Sequence, residues 1–121
     1  MKKPSRVSYQ TVRELGLALP DVEEGTSYGT PALKVKGKLF ARLWEDGTTL
    51  VLKTTFEQRE DLMAAKPETY YITDHYLHYT WMLVRLPTVH PDAIRELLQT
   101  ARRLALPPKR RPRAKAAPGR Q

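Results

Sequence analysis

Apolar positions recur along this chain with two periods, and the switches between them mark the elements. Val12, Leu15 and Leu19 follow Ser8 at helical spacing, one apolar face behind a good N-cap. Pro20 closes the pattern, because the residue before a proline is driven out of helical space. A first helix is therefore predicted over residues 8–19, with an acidic, exposed segment at 21–25 behind it. Gly25, Thr26, Ser27, Gly29 and Pro31 then punctuate a loop or irregular edge strand. Leu33 and Val35 alternate with Lys34 and Lys36, the period of a half-buried strand. Lys36-Gly37 predicts a tight turn into a strand over 38–44. Glu45-Asp46-Gly47 predicts another into a strand over 49–53.

Thr55 and Gln58 have the spacing of a capping box, with Thr54 and Glu57 as a competing register. Phe56, Leu62 and Met63 supply an apolar stripe and Pro67 lies just beyond it, so a second helix is predicted over 56–66. Residues 70–73 read as a fourth strand. Residues 81–86 read as a fifth, with Trp81, Leu83 and Arg85 on one face and Met82, Val84 and Leu86 on the other. Pro91 and Asp92 open a last helix, whose buried face is Ile94, Leu97, Leu98, Ala101 and Ala105. Arg102 and Arg103 sit in its last turns, where the helix dipole favours cations. The order is α-β(3)-α-β(2)-α. Hairpin-linked strands leave no room for crossover helices, so the expected fold is α+β, a two-layer sandwich with a five-stranded antiparallel sheet.

Composition bounds this picture. A chain of 121 residues forms one domain with a substantial core. The absence of cysteine excludes disulfides and thiolate chemistry. The opening MKKPSRVSYQ is basic but lacks the apolar segment of a secretory signal. No apolar run approaches the ~20 residues that span a bilayer, so a soluble, cytoplasmic protein without membrane partners is expected. The net charge is +8, and its location matters. Residues 1–6 contribute +3 and residues 107–121 contribute +6, neither with any acid. Subtracting those nine cations from 21 leaves 12 against 13 acids, a charge of −1 for residues 7–106. The expected organisation is a basic arm at 1–7, a near-neutral domain at 8–106, and a disordered basic tail at 107–121 beginning at Pro107-Pro108.

Candidate chemistry follows from clusters. Lys34, Lys36, Lys38, Arg42, Lys53 and Arg85 lie on predicted strands and turns, where they could hold a phosphate backbone; lysines on an edge hairpin also keep sheets from pairing edge to edge. The register across Gly37 decides which of them share a face. Lys109, Arg110 and Arg111 head the tail, whose six cations attract nucleic acid regardless of sequence. Tyr70, Tyr71, Tyr76, Tyr79 and Trp81 crowd one short segment; they could stack bases or pack a core. Asp74, His75 and His78 fall short of a zinc ligand set. A Ser27/His75/Asp74 triad would need an acid on the far ring nitrogen, which an adjacent Asp reaches awkwardly. Ser27 and Tyr28 belong to a Gly/Ser/Thr loop able to hold an anion through backbone N–H groups, without the spacing of a P-loop. Ser27, Tyr28, His75, Tyr76, His78, Tyr79 and Trp81 form a candidate ligand or partner surface.

The leading helix ending in ALPDVEEGTSYGTPALKVKGKLFARL, the LVLK strand and the segment TDHYLHYTWMLVRL resemble the MmcQ/YjbR family over residues 8–106. The resemblance implies a small secretion-chaperone-like α+β domain with the same element order. It also implies DNA binding through two hairpins, a double wing, here residues 34–44 and 71–85. The basic tail is not part of that family pattern. The expectation is a non-enzymatic protein without metal or cofactor that binds DNA or RNA non-specifically through basic hairpins and tails. The alternative is a protein- or peptide-binding module using the sheet face and aromatic loop.

Overall fold

The computed structural model describes residues 7–106. The expectations for the tails, Lys109, Arg110 and Arg111 among them, lie outside the described residues. Helix α1 spans Tyr9–Leu17. The Ser8 hydroxyl accepts from the Thr11 amide and the Thr11 hydroxyl accepts from the Ser8 amide, a reciprocal cap that satisfies two otherwise orphaned donors. Strands β1 (Val22–Ser27), β2 (Thr30–Val35), β3 (Lys38–Leu43) and β4 (Thr49–Lys53) follow. Helix α2 spans Phe56–Ala65. Strand β5 is Tyr70–Tyr71, a 3₁₀ turn covers Asp74–Tyr76, and β6 (Trp81–Arg85) and α3 (Pro91–Ala105) are the last elements of the described residues. The sheet is antiparallel at every pairing, in the order β1-β2-β3-β4-β6-β5.

The architecture is the expected α+β class, with the strand count corrected from five to six and the order to α-β(4)-α-β(2)-α. The acidic, exposed segment and the start of the stretch read as a loop or irregular edge strand form one edge strand, paired with β2 from Val22↔Val35 to Ser27↔Thr30. Its acids hid it: Glu23 and Glu24 are exposed, and a charged edge is a common way to block sheet-to-sheet association. Strand β5 is also shorter than the predicted 70–73.

Helices α1 and α3 cover one face of the sheet. Leu33, Val35, Phe40, Leu50, Leu52, Met82 and Val84 meet Val12, Ile94, Leu98 and Ala101 there. Strand β3 changes sides midway. Leu33 pairs with Ala41, but Lys34 pairs with Leu39, leaving Phe40 as an extra residue. Such a bulge interrupts the alternation, so Phe40 and Ala41 are both in the core and Arg42 is returned to the opposite face. On α2, Leu62 and Met63 lean on the core, while Phe56 stays exposed. The buried residue of that helix is Arg59.

Candidate functional site

Paired residues of antiparallel strands share a face, so the register fixes what lies opposite the helices. One row runs Ala32, Arg42, Val51, Leu83, Tyr71. Lys53 stands opposite Trp81, and Thr49 opposite Arg85. Ala32, Val51 and Leu83 are buried yet stand outside the main core cluster, the apolar floor of this second face. Strands β2 to β6 carry Lys34, Lys38, Arg42, Lys53 and Arg85 and no acid. The near-neutral domain is thus a cationic sheet balanced by acids on β1, the helices and the loops.

Three of these cations sit over aromatic rings. Arg42 lies 5.1 Å from the Tyr28 ring centroid, Lys53 5.2 Å from that of Trp81, and Arg85 3.9 Å from that of Tyr71. Each geometry is within the range of an attractive cation–π contact. Arg42 is 6 % exposed. It donates to the Thr30 hydroxyl at 3.1 Å and forms an ion pair with Glu45 at 3.4 Å. Tyr28 stands at the tip of the β1–β2 turn, 83 % exposed, with φ +54° followed by Gly29 at φ +80°. The turn needs left-handed backbone at both central residues, which glycine and asparagine supply and tyrosine resists.

The segment between β5 and β6 is held from below by Arg59. Its Nη1 donates to the carbonyls of Tyr76 (3.0 Å), Tyr79 (2.7 Å) and Trp81 (3.1 Å), and its Nη2 to that of Leu77 (3.0 Å). The guanidinium lies 4.9 Å from the Phe56 ring, and Nε is buried without a partner among the described residues. Among the described residues no carboxylate pairs with it. Backbone carbonyl dipoles serve this buried charge through Nη1 and Nη2, and in doing so it fixes three carbonyls of the loop and that of Trp81 at the start of β6. Sequence reasoning passed over Arg59. Its signal was position: Phe56, Arg59, Leu62 and Met63 have helical spacing, so the arginine occupies the apolar stripe.

The loop so positioned bounds a cleft of about 320 Å³ against the sheet. Its walls are Tyr28, His75, Tyr76, Tyr79 and Trp81, with Arg42 at one side and Leu39 and Val51 as floor. A second cleft of about 310 Å³ shares Tyr28, Arg42, His75 and Tyr76 and extends to Thr73, Trp44 and Glu45. The His75 and Tyr76 rings meet edge to face at 4.7 Å.

Of the nominated cations, Lys34, Arg42, Lys53 and Arg85 share the outer face. The Lys34 stem passes over Gly25. Lys36 sits in the β2–β3 turn, 3.6 Å from Asp21. Lys38 pairs with Val35, the helix-covered side, and is exposed at the hairpin end. Of the nominated surface, Tyr28, His75, Tyr76, Tyr79 and Trp81 converge on the cleft. Ser27 and His78 do not line it; the Ser27 carbonyl instead accepts from the Thr30 hydroxyl across the turn. Among the described residues no three His, Asp or Glu side chains gather as a metal site, and no helix is long and apolar enough to cross a membrane.

Fold and site together define a small α+β sandwich whose sheet has one face sealed by helices and the other lined with paired cations and rings. The YjbR family model matches residues 17–104, and the chain belongs to that family. The crystal structure of Deinococcus radiodurans protein DR2400, a DUF419 domain, is similar, with a TM-score of 0.69 and 25 % identity over 83 % of this chain and 79 % of that one. No curated protein matches the chain.

Proposed function

We propose that this is a non-enzymatic, cytoplasmic nucleic-acid-binding protein that holds single-stranded DNA or RNA on the outer face of its sheet. The observation that carries the reading is the set of three cations, Arg42, Lys53 and Arg85, each against a ring on one face. Phosphates take Lys53 and Arg85, Arg42 stays paired with Glu45 and braces the Tyr28 ring, and bases of any sequence stack on the rings. A duplex gripped by two hairpin wings has weaker support. Lys36 is opposed by Asp21, and Lys34 stands opposite Glu23, so acidic β1 shields that hairpin. The basic segments 1–6 and 107–121 add a sequence-blind attraction of their own.

A peptide-binding alternative rests on the exposure of Phe56, Leu77 and Tyr79, apolar groups near one loop. Salt separates the two readings. Titrating labelled oligothymidylate into the full chain over a salt series, Lys53→Ala and Arg85→Ala should each weaken binding and flatten the log K against log salt slope by ~0.7. Unchanged affinity and slope in both variants would remove the sheet face from the interaction and leave only the tails.

A further inference from the structure

We infer that the cleft between the sheet and the β5–β6 loop is a seat for one nucleobase, with the attached phosphate lying outside it at Lys53. This rests on the sheet-face reading above and assigns a ligand to the cleft on that face bounded by Tyr76, Tyr79 and Trp81. The cleft is built for a flat ring. Its walls are Tyr76, Tyr79, Trp81 and His75, its floor is Leu39 and Val51, and aromatic faces of this kind stack any base. The charge in its lining is Arg42, already committed to Glu45, Thr30 and the Tyr28 ring. An anion inside would therefore compete with an existing ion pair. A neutral heteroaromatic ring would not, and its polar edge could reach the His75 imidazole and the hydroxyls of Tyr76 and Tyr79.

A cation without a carboxylate partner among the described residues stands at the rim. Lys53 lies over Trp81, a cleft wall, with its ammonium 3.4 Å from the Thr80 hydroxyl. Ring inside and cation outside is the charge pattern of a nucleotide. The walls are also set in advance: Arg59 holds the carbonyls of Tyr76, Leu77, Tyr79 and Trp81 in one grip, so binding need not order the loop and loses less to entropy. The ligand chemistry is a planar heteroaromatic ring carrying a phosphate, whether in a strand or as a free nucleotide.

Two exposed wall residues, His75 and Tyr79, can be removed with little effect on the core. In the full chain, His75→Ala and Tyr79→Ala should each weaken oligothymidylate binding about 5- to 10-fold with the salt slope unchanged, because no phosphate contact is lost. An unfolding midpoint equal to wild type checks that the fold is retained. Thymidine 5′-monophosphate should perturb Trp81, and ribose 5-phosphate, which lacks a base, should not. Tighter binding of the strand than of the monophosphate assigns the seat to a polynucleotide; equal binding assigns it to a free nucleotide. If both variants bind the strand as wild type does while Lys53→Ala weakens it, the seat is refuted and the sheet face stands. If the full chain fails to bind the strand at all, both fall.

Discussion

Tyr28 occupies a backbone conformation that its side chain disfavours, at the tip of a turn and 83 % exposed. A left-handed non-glycine residue costs on the order of 1 kcal/mol or more, and the contact of its ring with Arg42 returns about 0.5–1 kcal/mol. The two nearly cancel, so stability does not explain a tyrosine here, whereas the proposed stacking role at the mouth of the cleft does. Tyr28→Asn should leave the free energy of unfolding in denaturant within about 0.5 kcal/mol of wild type while weakening oligothymidylate binding several-fold. A loss of stability well above ~1 kcal/mol would show the ring to be structural instead. Arg59 presents the opposite case, a charged residue whose value lies in what it holds still.

At the scale of elements, helix α1 sets aside a buried hydroxyl. Tyr9 Oη has no hydrogen-bond partner among the described residues. Burial, reinforced by Glu24 and opposed by Arg13, pushes its pKa up to about 12. An unfolded tyrosine titrates near 10. The folded form therefore binds the proton more tightly, and the stability this contributes is present below about pH 10 and lost as pH rises towards about 12. Tyr9→Phe should flatten that alkaline limb, leaving the part due to Tyr70, which burial also raises. It should also stabilise the protein by up to about 1 kcal/mol at neutral pH by removing the unpartnered hydroxyl. Denaturant unfolding over a pH series measures both effects, and a destabilised Phe variant would show that the hydroxyl is satisfied in solution.

Elements were legible in the sequence where local chemistry decided them. Ser8, Pro91 and the Lys36-Gly37 turn each carry a cap or turn signal that the fold uses as read, and Thr55 caps α2 through the Gln58 amide while the Gln58 side chain accepts from the Thr54 hydroxyl instead of closing the box. Strand β1 was hidden because Val22 is its one aliphatic side chain beside Glu23, Glu24 and Gly25, and pairing with β2 supplies what its own pattern lacks. The bulge at Phe40 was hidden for a related reason. Lys38, Phe40 and Arg42 sit two apart and suggest a shared face, yet one inserted residue sends Phe40 inward and Arg42 outward. Half of the candidate site was visible in the aromatic segment. The other half, which cations stand beside which rings, depends on register and on Arg59, and neither has a local signature.

For the molecule as a whole, the charge of −1 over residues 7–106 averages over an uneven surface. The acids lie on β1, the helices and the loops, and strands β2 to β6 carry only cations. On net charge alone the proposed nucleic-acid binding would fall to the two basic segments at the ends, while the distribution is what allows the proposal to give the sheet a share. Loops add local stability of their own. In the β3–β4 turn, burial raises the Asp46 pKa, but hydrogen bonds from the Thr49 hydroxyl and the Thr48 and Thr49 amides outweigh it and hold the carboxyl below its usual range. That stabilisation is present above the ordinary aspartate pKa and lost as pH falls through the lowered one. The turn next to Arg42 is therefore in place at neutral pH.

Amide chemical-shift mapping of the full chain with oligothymidylate tests the assignment of the sheet face most directly. The expected result is a contiguous set of perturbations at Arg42, Val51, Lys53, His75, Tyr79, Trp81 and Arg85, with α1 and α3 unmoved. Perturbations confined to residues 1–6 and 107–121, with the sheet face silent, would contradict it.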